Sequence, residues 1–84
     1  MPMDAEALDA IVERAYEEAP EGAAVHLTLH LCTALPTHSR VALTGVASLP
    51  VTDDHGTVRL RGLGGGWVCV YACDVDYVSY SVVL

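Results

Sequence analysis

The side chains in this sequence that could carry chemistry are its histidines, cysteines and arginines, and their spacing limits what that chemistry could be. His26, Thr28, His30 and Cys32 follow one another at every second position. On a strand, residues two apart are separated by roughly 6.6 Å, so His30 and Cys32 could reach one metal ion. His26 lies about 13 Å from His30 and cannot join them. Two ligands without a third make no zinc site, and the reading adopted is two histidines on a solvated or helix-covered strand face.

Cys69 and Cys73 are spaced C-x3-C, about 13 Å along a strand, which excludes chelation by the pair and an unforced disulfide. A hydrolase built on either thiol would need a neighbouring histidine, a donor pair for the oxyanion and an abnormally acidic sulfur. No spacing here selects such a set. Gly62-Leu63-Gly64-Gly65-Gly66-Trp67 starts like a dinucleotide fingerprint, yet Trp67 stands where the third glycine belongs and a strand follows instead of a helix. A Walker A loop needs Gly-Lys, and the chain has no lysine. The expectation is no catalytic, cofactor-binding or metal-binding residue, no cofactor and no enzyme. Arg40, Arg59 and Arg61 fall on outward phases of adjacent strands and could grip a phosphate or carboxylates. With 11 acids in the chain, pairing with its own carboxylates is the expected outcome.

Charge and length bound the rest. The chain has 84 residues, enough for one small domain, spanning 1–84. Its formal net charge is −7, with 52% hydrophobic and 18% charged residues, which describes a globular domain and not a disordered tail. Residues 1–21 contain seven acids and one arginine (net −6), and residues 22–84 contain four acids and three arginines (net −1). That balance argues against direct nucleic-acid binding, which needs a basic stripe. No apolar run is long enough for a membrane span, and the acidic start is unlike a signal peptide. Three cysteines without framework spacing fit reduced thiols, so the expectation is a cytoplasmic protein.

The elements follow from the hydrophobic period. Over residues 4–18, Leu8, Ile11, Val12, Ala15 and Tyr16 form one helical stripe with Asp4 as N-cap, and Pro20 and Gly22 end the helix. From residue 24 the period becomes two. Val25, Leu27, Leu29 and Leu31 alternate inward in a first strand. Leu35-Pro36-Thr37-His38 makes a turn. Val41, Leu43, Gly45, Ala47 and Leu49 alternate in a second strand, with Gly45 expected to form a bend or bulge. Asp53-Asp54-His55-Gly56 is a turn, and Val58 and Leu60 point inward from a third strand. Val68, Val70 and Ala72 alternate inward in a fourth. Asp74 and Asp76 would carry that phase into the core, which is too costly for unpaired carboxylates. The strand must therefore break near 73–76 and restart as Tyr77–Leu84.

This order, a helix followed by four strands, a tight turn and a fifth strand, resembles the SH3-like and Sm-like small barrels. More narrowly it is similar to the small acidic Sm-like inhibitors of the transcription terminator Rho. The resemblance implies an α+β fold in which an N-terminal amphipathic helix (4–18) precedes a five-stranded antiparallel small β-barrel (24–84). The chain lacks the Asp-x-Phe/Met-x-Asn segment of RNA-binding Sm proteins, and Arg61-Gly62 opens a polyglycine turn instead of preceding the last strand.

Two surfaces stand out. The helix carries Glu6, Asp9, Glu13, Glu17 and Glu18 away from its apolar stripe, and Trp67, Tyr71, Tyr77 and Tyr80 cluster near a C-terminal strand without charge. Such a strand must be closed over by the barrel, covered by the helix or paired with another chain. The expected function is a non-catalytic acidic interaction module that regulates or antagonises a basic, nucleic-acid-binding protein. In that reading Glu6, Asp9, Glu13 and Glu17 steer association, and Trp67, Tyr71 and Tyr77 anchor it. The alternative is a structural homo-oligomer joined through the C-terminal strand edge.

Overall fold

The computed structural model describes residues 4–31 and 42–84; Cys32, the turn expected at 35–38, Arg40 and Val41 lie outside that range. Helix α1 (Ala5–Glu18) begins where Asp4 takes an extended conformation and its carboxylate accepts from the Ala7 N–H at 2.7 Å. This satisfies one of the orphan donors of the first turn. Leu8, Val12 and Ala15 are buried, with Ile11 and Tyr16 half-buried beside them. The helix stops at Ala19, and Gly22 takes a positive φ of 84° in the turn that follows.

Five strands follow: β1 (Ala24–Leu31), β2 (Ala42–Ala47), β3 (Thr57–Gly62), β4 (Trp67–Tyr71) and β5 (Val75–Val83). A 3₁₀ turn, Ala72–Asp74, joins the last two. They form one antiparallel sheet in the order β4-β3-β2-β1-β5. The fold is therefore α+β, as expected. The sheet is not closed, however, since β4 and β5 are its two edges and no ladder joins them.

The sheet has an inner and an outer face. Val25, Leu27, Leu29, Ala47, Val58 and Leu60 point inward and pack with Leu8, Val12 and Ala15 of the helix in one core. Paired residues of an antiparallel ladder share a face, so the register assigns the outer one: His26, Thr28 and His30 of β1, with Val46 and Thr44 of β2. Beside them stand Arg59 and Arg61 of β3, Trp67, Cys69 and Tyr71 of β4, and Tyr77, Ser79 and Ser81 of β5.

Several expectations are corrected in detail. Gly45 makes no bulge, because its ladder with β1 runs unbroken from Val25↔Ala47 to His30↔Ala42. Glycine is needed for a different reason. A Cβ there would lie 2.7 Å from the Leu60 Cβ and 2.8 Å from the Arg61 carbonyl oxygen, so β3 can approach only a bare backbone. The bend comes later. Between the pairs Val46↔Arg61 and Thr52↔Val58 the chain advances six residues on one side and three on the other, so Ser48-Leu49-Pro50 loops out. Leu49, expected inward, is consequently 48% exposed, and Val51 occupies the core at 1%.

The break before β5 falls where the buried-carboxylate argument places it, but the strand restarts at Val75 instead of Tyr77. The 3₁₀ turn resets the phase, so that Val75 enters the core while Asp74 and Asp76 stay exposed. An irregularity opposite His30/Leu31 leaves Asp76 without a partner on β1.

Candidate interaction surfaces

Two side chains seven residues apart fasten the helix to the residues on either side of the looped-out segment. The Asp9 carboxylate accepts from the Val51 N–H at 2.8 Å, the Thr52 N–H at 3.2 Å and the Thr52 hydroxyl at 2.5 Å. The Tyr16 hydroxyl donates to the Ala47 carbonyl. Asp9 is thus half-buried and fully engaged within the fold, which removes it from the docking face expected of it. Glu6, Glu13 and Glu17 are exposed on the helix, joined by Glu18, which Arg14 meets at 3.4 Å in an exposed i,i+4 pair.

Trp67, Tyr71 and Tyr77 are exposed as well, at 62%, 62% and 43%, but they stand on the outer face of the sheet. The core lies between them and the helix. The structure therefore separates the two sets of residues that the sequence reading joined in one docking site. Tyr77 is already engaged: its ring stacks on His30 with centroids 4.1 Å apart and planes within 7°. His30 Nε2 also hydrogen-bonds the Ser79 hydroxyl at 3.2 Å. Trp67 carries the Arg59 guanidinium 5.0 Å from its ring centroid, a cation–π contact. The sequence reading missed this contact, although the Gly62–Gly66 hairpin sets Arg61 opposite Trp67 and so places Arg59 on the diagonal.

The expected pairing of arginines with the chain's own acids does not form for β3. Among the described residues the ion pair is Arg14–Glu18, and neither Arg59 nor Arg61 takes part in one. Asp53 is held below the usual carboxylate range chiefly by the Thr57 N–H and then by the His55 N–H, at 3.0 and 2.8 Å. Arg59 is the weakest of the charges acting on it.

β5 is the other notable surface. Its ladder with β1 runs from Ala24↔Val83 to Leu31↔Val75, and among the described residues no strand pairs with its second edge. Tyr80, Val82 and Val83 are 43%, 39% and 42% exposed, and Leu84 is 91% exposed. Cys69 and Cys73 are free thiols that line different clefts, of about 360 and 400 Å³, on either side of Tyr71. Among the described residues no three His, Cys, Asp or Glu side chains converge as metal ligands, and no helix is long and apolar enough to cross a membrane. No protein-family model matches the chain, and neither the curated proteins nor the solved structures contain a match to it.

Proposed function

We propose that this protein is a non-catalytic interaction module of the cytosol that docks on a basic protein through its helix side and the β5 edge. The observation that carries the reading is β5 itself. It is nine residues long, without charge from Tyr77 onward, and among the described residues it is paired on one side only. A long, flat, apolar edge is an aggregation hazard that natural proteins cover. Here neither the helix, which packs on the core side of β1, nor a ladder to β4 covers it. A strand from a partner would complete its backbone hydrogen bonds. Glu6, Glu13, Glu17 and Glu18 would speed encounter with a cationic surface, as befits an antagonist of a nucleic-acid-binding protein. The likeness in element order to SH3-like and Sm-like small barrels belongs to this proposal and supports the same role.

A second reading rests on the same edge: the partner strand belongs to another copy of the chain. Light scattering after gel filtration, combined with capture from native extract after nuclease at low and high salt, separates the two. The module reading expects a monomer that retains a basic protein at low salt and releases it at high salt. A stable oligomer with no captured protein would replace it with self-assembly. Val82→Lys should abolish either contact by placing a charge on the edge strand. Reversing Glu13 and Glu17 to arginine should slow association only with a basic partner. Unchanged capture by that double variant at low salt would remove the electrostatic part.

A further inference from the structure

The charge that argues against nucleic acid belongs to the whole chain, and the fold sorts it by side. On the outer face of the sheet the strands present Arg59, Arg61, His26 and His30, and among the described strand residues the one acid is Asp76, at the irregular start of β5. The exposed helix carboxylates Glu6, Glu13 and Glu17 belong to the element that packs on the opposite, inner face of the sheet. On this face the formal positive charges of Arg59 and Arg61 outnumber the negative charge of Asp76, and Arg59 is the least of the influences on Asp53, the carboxylate in the turn before β3.

One row of this face crosses the whole sheet: Trp67, Arg61, Val46, His26 and Ser81 are successive partners on β4, β3, β2, β1 and β5. At the usual strand spacing it spans about 19 Å. Arg59 sits over the Trp67 ring at its end, and Thr28, Thr44 and Ser79 fill the next row with hydroxyls. Beyond them lies the parallel His30–Tyr77 stack.

We propose that this face binds single-stranded nucleic acid, with Trp67 as a base-stacking platform and Arg59 and Arg61 on the phosphates. Exposed rings beside unpaired arginines are the two components of sequence-tolerant single-strand recognition. An acidic peptide or the acidic helix of a second copy would satisfy the arginines but give the Trp67 ring, 62% exposed, no stacking partner beyond Arg59. The rings therefore favour bases. The span suits about four nucleotides, the low end for one small domain.

Trp67 is the chain's single tryptophan, so its fluorescence reports on the site directly. The test titrates the full chain with octathymidylate, octauridylate and an octaglutamate peptide at about 50 and 200 mM salt. The expected result is saturable quenching by the oligonucleotides and none by the peptide. Two phosphate contacts on a single strand give a salt slope of about −1.4, a loss of about seven-fold in affinity between those salts. The Arg59→Gln/Arg61→Gln double variant, checked for folding by circular dichroism, should lose the salt dependence and most of the affinity. Trp67→Leu, followed by anisotropy of a labelled oligonucleotide, should bind at least about five-fold more weakly. Absence of oligonucleotide binding at the lower salt would overturn the proposal. So would equal binding of the peptide, an unaffected double-arginine variant, or arginine-dependent self-association seen by light scattering without oligonucleotide binding.

Discussion

The two faces of one sheet are built from the same strands and behave as different materials. Along β1, Val25, Leu27 and Leu29 are fully buried, while His26, Thr28 and His30 remain partly exposed; Thr28 hydrogen-bonds Thr44, and His30 hydrogen-bonds Ser79 and stacks on Tyr77. The inner face is stabilised by area removed from water and by close packing, terms that depend on volume. The outer face is held by pairwise contacts between neighbours that water can replace. One face therefore determines whether the protein folds, and the other is free to vary in what it binds.

Substitutions that strike one face and spare the other test this contrast. The largest effect is expected for Leu27→Ala, about 2–5 kcal/mol of stability, because the cavity forms at the centre of the core. In a domain of this size such a loss approaches the whole stability, so denaturant titration should show a largely unfolded chain. Thr28→Ala, one residue away, should shift the midpoint by no more than a typical surface change of about 0.5 kcal/mol. Equal effects of the two would break the comparison.

Gly45→Ala comes next. The added methyl meets the Leu60 Cβ and the Arg61 carbonyl, and overpacking of this kind costs about 1–3 kcal/mol. The same substitution at Gly64, whose Cβ position is open, should leave the thermal midpoint nearly unchanged.

Asp9→Ala sharpens the division between carboxylates that hold the fold and those that face solvent. It strands the donors of Val51 and Thr52 and should cost about 1–3 kcal/mol, whereas Glu13→Ala, on the exposed side, should be nearly neutral. Chemical denaturation of the two variants measures the difference.

The smallest effect concerns pH. Asp53 has its folded-state pKa lowered from 3.8 by the N–H groups of Thr57 and His55. The ionised form is favoured in the folded state, so this contribution is fully present above the unfolded value and is lost as pH falls through the folded one. Asp53→Asn should flatten the acid limb of a stability-against-pH curve below about pH 4 while leaving its neutral region similar. An acid limb unchanged by the substitution would remove Asp53 from that balance.

Local pattern made much of the fold legible. Helix α1 follows from a 3.6-residue stripe behind an Asp cap, and β1 follows from strict alternation, because each signal reflects a single face that must be buried. The break before β5 was readable from Asp74 and Asp76, since the cost of burying a carboxylate does not depend on the rest of the fold. The site was less legible. Glu6, Glu13 and Glu17 could be placed on a solvent face, but Asp9 shares their spacing, and only the position of Val51 and Thr52, more than forty residues on, separates it from them.

The sequence by itself determined where the chain alternates, turns and stops, and how much charge each segment carries. Tertiary structure alone decided which strands became edges, that Gly45 must admit β3, and that the acids and the aromatics stand on opposite sides of the core. Periodicity and side-chain solvation act over a few residues, so they leave a local trace in sequence. Strand order, close approach and the spatial sorting of charge depend on contacts between distant segments, and no local window contains them.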